Sequence, residues 1–214
     1  MGGTANDEGR LAVNRGPLLI RGALIALLLL PVAGVLATWL WPDPARSKAV
    51  PSYGRVGNFA LTEASDKPVT LADLRGKVWV ASFIFTSCAG SCPIMTHHLA
   101  QAQSDLPVRE DFMLVSVSVD PERDTPAVLA RYAERNGADR TRWWFLTGDK
   151  AQIHRLSRET FMLAVDESGT TVDHSSKFVL VDRNGVIRGY YDGLEVATVK
   201  QLVRDVERVL AEKS

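Results

Sequence analysis

Cysteine is nearly absent from this chain: only Cys88 and Cys92, of 214 residues, carry a thiol. Two cysteines cannot form a disulfide framework. Their separation also argues against a structural bridge, since a five-residue loop gains about 2 kcal/mol in the loop-entropy model and a hundred-residue loop about 4.7. A pair so placed is there for chemistry. Net charge is missing too. Lys+Arg and Asp+Glu each number 25, so the basic surplus of a nucleic-acid binder is lacking and no nucleic-acid partner is expected. There is no internal repeat and no long low-complexity tract. Hydrophobic residues at 46% and charged ones at 23% exclude a disordered chain. At this length they describe one ordinary domain plus an appendage.

The appendage comes first. Residues 1–21 are polar and include Arg10, Arg15 and Arg21, partly offset by Asp7 and Glu8. Residues 22–41, GALIALLLLPVAGVLATWLW, carry no charge and as a helix would span about 30 Å, the thickness of a hydrocarbon core. Trp39 and Trp41 fall at the far end, where indoles favour the interface. The expectation is a single uncleaved transmembrane helix with a cytoplasmic tail at 1–21. A cleaved signal peptide is the alternative, with Val35-Leu36-Ala37 as its cleavage site. The length of the run and the bulky Thr-Trp-Leu-Trp after that point favour the anchor. A buried core helix is disfavoured because no face is polar. Either leading reading puts the folded part in an oxidising compartment, where reactive cysteines need a reductant or a metal to stay reduced. The Pro-rich stretch 42–51 reads as a semi-rigid tether, and 52–214 as the folded domain.

Within that domain, Asn58 to Thr62 alternates weakly, as an edge strand does, and Ser65-Asp66-Lys67-Pro68 turns the chain. Lys77 to Phe85 is almost wholly apolar or small, the pattern of a central strand covered on both faces. A helix is predicted from about Pro93 to Asp105, and a second buried strand from Asp111 to Val119. Thr125 is placed to cap a helix that has Pro126 at its first position and runs to about Asn136. Trp143 to Leu146 reads as a short strand, and Asp149 with Gln152 as a capping pair. Asp182-Arg183-Asn184-Gly185 joins two strands, Lys177–Val181 and Val186–Tyr191. Val196, Val199, Val203, Val206 and Leu210 form the stripe of a last helix. This order predicts an α/β fold, a mixed sheet flanked by helices. A reactive cysteine after the first buried strand points to the thioredoxin-like class.

The cysteine loop runs Thr86-Ser87-Cys88-Ala89-Gly90-Ser91-Cys92-Pro93. Pro93 suits the first turn of a helix, and Cys92 before it belongs at the helix entrance, where the dipole should favour thiolate. Cys-x-x-x-Cys lets two sulfurs hold an ion between them and still close a disulfide after rearrangement. Zinc in a structural site wants four protein ligands. Two thiolates with one imidazole suit copper better. Among the histidines, His97 and His98 follow on the same helix and by default are solvated or capping groups. His154 is expected to be a surface or packing residue. His174, in a loop directly before a strand, is either a ligand or a polar loop residue. Asp120 and Asp124 are explained by a turn and a capped helix, with docking of a partner, or local charge near a metal, as the second reading. Met95, Met113 and Met162 are scattered, as core residues are.

Four motifs together resemble the Sco/SenC family of membrane-anchored, thioredoxin-like copper proteins of cytochrome c oxidase assembly. They are the cysteine loop, Ser118-Val119-Asp120-Pro121-Glu122-Arg123-Asp124-Thr125-Pro126, Leu146-Thr147-Gly148-Asp149 and Val172-Asp173-His174-Ser175. The resemblance covers roughly residues 52–212. It implies that Cys88, Cys92 and His174 bind copper as Cu(I) or Cu(II). It also implies that the recipient is the oxidase subunit holding the dinuclear copper centre, with a thiol reductant and a copper donor as further partners. Ala-Gly-Ser between the cysteines departs from the Pro-containing loop common in the family. A short N-terminal tail without a long Arg/Ser-rich transit peptide points to a bacterial rather than a mitochondrial protein, with the folded domain on the periplasmic side of the inner membrane. The rival function is enzymatic: a thiol-disulfide oxidoreductase, with Cys88 and Cys92 as its redox pair, that reduces the recipient's cysteines. Peroxidase chemistry is weaker, because Thr86 and Cys88 are one residue closer than in Thr-x-x-Cys.

Overall fold

The computed structural model describes residues 50–161 and 176–212. The expected anchor at 22–41, most of the tether, Met162 and His174 lie outside them. No helix among the described residues is long and apolar enough to cross a membrane. The chain forms β1 (Gly54–Arg55), β2 (Ala60–Glu63), β3 (Pro68–Thr70), α1 (Leu71–Leu74) and β4 (Val78–Ile84). There follow α2 (Ser91–Ala102), β5 (Phe112–Ser118), α3 (Pro126–Arg135), β6 (Trp143–Thr147) and α4 (Lys150–Arg155), the last continued by a π-helical turn, Leu156–Thr160. It closes with β7 (Lys177–Val181), β8 (Val186–Asp192) and α5 (Val196–Ala211).

The strands make one mixed sheet in the order β1-β8-β7-β4-β5-β6-β2-β3. As its pattern requires, β4 is buried at every residue. It runs parallel to β5, from Val78↔Phe112 to Ile84↔Ser118, and antiparallel to β7, with Trp79 opposite Val181. Alternate side chains serve two cores. Val78, Val80 and Ile84 pack with α2, α3 and α5, including Met95, Leu129, Leu202 and Val206. Trp79, Ala81 and Phe83 face the other layer, with Leu74, Ile153 and Phe161. Met95 and Met113 are core residues, as their scatter suggested.

One expectation is corrected. The segment at Asn58–Thr62 is not an edge strand, because β2 pairs with β6 on one side and β3 on the other. The turn after Glu63, with Asp66 at φ 64°, brings β3 back as the true edge. Pro68 opens that strand, a place where a missing N–H costs no ladder bond. Three helix predictions differ mainly at their ends: α2 begins at Ser91, α3 ends at Arg135, and α5 covers Val196–Ala211. The Asp149 carboxylate caps α4 by accepting from Gln152 N–H at 2.8 Å, but the Gln152 side chain accepts instead from Ala60 N–H on β2.

Two arginines, Arg183 in the last hairpin and Arg109 just before β5, fasten the lower end of the sheet, where β4 begins. Arg183 donates to the carbonyls of Val209, Leu210 and Glu212 at the end of α5, and to Asp111 Oδ2 at 2.8 Å. Arg109 also binds Asp111, through Oδ1 at 2.7 Å. The Arg109 hydrogen bond, with Arg183 adding to it, holds the Asp111 carboxyl well below its ordinary 3.8 against the opposing effect of burial. A depressed pKa contributes stability that is complete above the ordinary value and is lost as pH falls toward the folded one. Asp111→Asn should therefore cost about 1 kcal/mol at neutral pH. Its effect should shrink below pH 3.8, so urea unfolding of both proteins at neutral and acid pH checks it.

Candidate functional site

The site starts where β4 ends. Beyond Ile84 the apolar pattern gives way to small residues, and the chain crosses a short loop into α2, with Gly90 at the N-cap position. Cys88 N–H donates to Phe85 C=O at 3.2 Å, and Gly90 N–H points at Cys88 Sγ at 3.4 Å. Ser91, Cys92 and Pro93 form the first turn of the helix, where backbone N–H groups have no partner further back. Cys92 therefore lies within that first turn, not before it.

Both cysteines are free thiols, and they differ in exposure. Cys92 is fully buried on the α2 face of the sheet, while Cys88 is half-buried beside Ser87, Ala89 and Gly90, all exposed. Burial pushes the Cys92 thiol up to about 12, against the pull of the Phe85 backbone, and the adjacent Cys88 thiol raises it further. Thiolate at the helix entrance was expected for Cys92. Desolvation overrides the helix dipole there, because the sulfur faces the core rather than the solvent. The pair is thus one accessible sulfur over one sheltered sulfur, in mutual contact.

Below them sits Tyr132 of α3, its hydroxyl 2.8 Å from Thr96 of α2. Its phenol is pushed up, first by burial against the opposing Thr96 hydrogen bond, and then by the charges of Cys92, Cys88 and Asp124. Asp124 is the residue whose position the sequence did not disclose. It has no exposed surface. Its Oδ2 accepts from Thr86 N–H at 2.9 Å and from Ser118 O–H at 2.6 Å, and its Oδ1 accepts from the Thr86 hydroxyl. The local reading was sound for its neighbours: Thr125 caps α3, and the exposed Arg123 pairs with Asp120 at 3.2 Å. What it missed is non-local, since Thr86 lies 38 positions away. A cue was present nonetheless. The position before an N-cap commonly carries a hydrophobic staple residue, and an acid there has no local partner.

The histidines separate. His97 is exposed, and His98 is half-buried with Nδ1 2.8 Å from Gly193 C=O. His154 is half-buried on α4. Among the described residues, no three His, Cys, Asp or Glu side chains could enclose a metal ion, so neither His97 nor His98 completes a site with the thiols. A third ligand must come from elsewhere. The β4–β7 register puts the beginning of β7 at the sheet end where β4 runs into the cysteine loop. Ser176, just before β7, accepts from Gly193 N–H at 2.6 Å. Gly193 in turn packs against Met95 and Phe178 so closely that an added Cβ would lie 3.0–3.1 Å from them.

Comparison with known proteins identifies relatives that share this fold. A family model described as SCO1/SenC matches residues 49–211. The SCO1 protein homolog of Bacillus subtilis (strain 168) is 32% identical over 179 residues, covering 82% of this chain and 93% of its own. The structure of BsSco, a member of the Sco family of cytochrome c oxidase assembly proteins in which a disulfide switch was identified, superposes with a TM-score of 0.67 at 32% identity, covering 77% of this chain and 98% of that one. Bradyrhizobium japonicum ScoI with copper bound gives a TM-score of 0.60 at 26% identity, covering 73% and 99%.

Proposed function

Because the chain belongs to the SCO1/SenC family, we propose that it is a copper metallochaperone whose cargo is one ion held by Cys88, Cys92 and His174. The donor set suits that cargo: two soft sulfurs and one imidazole favour copper over the hard cations. The observation that carries the reading is the convergence at one end of the sheet. The cysteine loop leaves β4 there, and β7 begins there after Ser176, whose carbonyl accepts from Gly193, itself packed against Met95 of α2. His174 stands two residues before Ser176 in the sequence.

Copper and oxidase assembly, stated for ScoI and BsSco respectively, come to this chain as part of the proposal. The recipient is the oxidase subunit with the dinuclear copper centre, and the domain works from a membrane anchor in the periplasm. Delivery proceeds by ligand exchange. The exposure difference gives it an order: a recipient thiolate displaces half-buried Cys88 first, and buried Cys92 lets go last.

X-ray absorption on the copper-loaded full-length chain should report two sulfur neighbours and one nitrogen neighbour. His174→Ala should remove the nitrogen and weaken binding about tenfold or more. A spectrum unchanged by that substitution would exclude His174 as a ligand. If His174→Ala also left oxidase assembly in cells intact while either cysteine variant abolished it, thiol reduction of the recipient would be the function.

A further inference from the structure

The mutual contact of the two thiols depends on where the chain leaves β4, and one side chain fixes that point. The Asp124 carboxylate accepts from three donors: the Thr86 N–H, the Thr86 hydroxyl and the Ser118 hydroxyl. Asp124 is fully buried, and no arginine or lysine is paired with it among the described residues. A carboxylate in such a place is costly unless its hydrogen bonds are complete. Stability alone would be served as well by an apolar residue of the same volume.

Asp124 is itself held from behind. Its N–H donates to Asp120 C=O at 2.9 Å, and Ser118 Oγ accepts from Asp120 N–H at 3.1 Å. The next residue, Thr125, caps α3. The carboxylate therefore joins three fixed elements, the ends of β4 and β5 and the start of α3, to the residue two positions before Cys88. Thr86 is the only residue of the cysteine loop that it grips.

We propose that Asp124 is a positioning residue for the dithiol, acting through Thr86 to hold Cys88 Sγ against Cys92 Sγ. It touches neither copper nor the recipient. The inference deepens the metallochaperone reading, but half of it stands without copper. Holding two thiols together raises their effective concentration toward each other, so it favours the disulfide over the dithiol as well as the two-sulfur grip on an ion.

The test measures both on the full-length chain in detergent micelles. In glutathione buffers the reaction is protein dithiol plus oxidised glutathione giving protein disulfide plus two reduced glutathiones, and its equilibrium constant needs no metal. Asp124→Asn puts an amide N–H where an acceptor is required. It should lower that constant about tenfold and weaken copper binding by 10- to 100-fold, the usual range for an outer-shell partner. Thr86→Val, which removes one donor while the backbone bond stays, should do the same more mildly. Thr86→Ser, which keeps the hydroxyl, should restore wild-type values. Ser82→Ala controls for buried hydrogen bonding in general, since Ser82 and Ser116 bond at 2.8 Å on the same two strands. It should lower the melting temperature and leave both constants unchanged.

If Asp124→Asn fails to fold, the Thr86 pair decides. Unchanged constants in Asp124→Asn or Thr86→Val, or an equal change in Ser82→Ala, would overturn the inference. A wild-type chain that binds no copper, with variants that still show the predicted shift in the glutathione constant, would sink the metallochaperone reading and leave the positioning role standing.

Discussion

Cys92→Ser should abolish copper binding and destabilise the domain, whereas Cys88→Ser should abolish binding alone. Either change removes a soft ligand, and the loss should exceed the roughly hundredfold upper end for outer-shell partners. The stability effect divides them. Cys92 is fully buried and packed with Met95, Leu99 and Tyr132 in the α2 layer. A serine hydroxyl there is desolvated without an assured partner, a cost of about 1–3 kcal/mol. Cys88 is half-buried on the rim of that core, and its hydroxyl variant can reach water. Copper competition against a chelator reads the first effect, and urea unfolding of the metal-free proteins reads the second. Equal destabilisation by both would contradict the sheltered-and-accessible pair, and with it the order of ligand exchange.

Arg188→Ala should be strongly destabilising, at about 3–5 kcal/mol. Arg188 is 8% exposed and spends its donors on both ends of the described chain. One side of the guanidinium binds the carbonyls of Val50 at 2.7 Å and Pro51 at 3.0 Å, and the other binds Asp182 and both oxygens of Glu212. Truncation strands the buried Val50 carbonyl and takes from the largely buried Asp182 its cationic partner, leaving only backbone donors on its other oxygen. At 2–4 °C per kcal/mol for a chain of this size, melting should fall by about 10 °C. Lysine should not rescue it, since a single ammonium cannot reproduce the fork. A drop no larger than that of the exposed Arg123→Ala would mean the clamp contributes little.

What could be read from the sequence followed how local its cause was. The buried run at Lys77–Phe85 gave β4, and the Asp-Arg-Asn-Gly turn gave the β7–β8 hairpin, because periodicity and turn chemistry act within a few residues. Thr125 and Asp149 were legible as caps for the same reason. The place of β2 inside the sheet was not, since it depends on β6, more than eighty positions away. At the site, the cysteines declared themselves through spacing. Asp124 did not, because its role exists only once β4, β5 and α3 are assembled around Thr86. The lowered acidity of Cys92 likewise follows from which way its sulfur faces, and a Cys-x-x-x-Cys pattern carries no such direction.

The clamp at Arg188 also decides how the domain bears force. Arg188 follows Ile187, which pairs with Val181, itself opposite Trp79 at the first turn of the ladder on β4. The cysteine loop leaves the other end of that strand, about 16 Å along it at the usual rise. A tug arriving through Val50 is thus taken up by the guanidinium and shared between β8 and the end of α5, at the far pole from the sulfurs. Load applied at residue 50 should therefore leave the spacing of the two thiols unchanged.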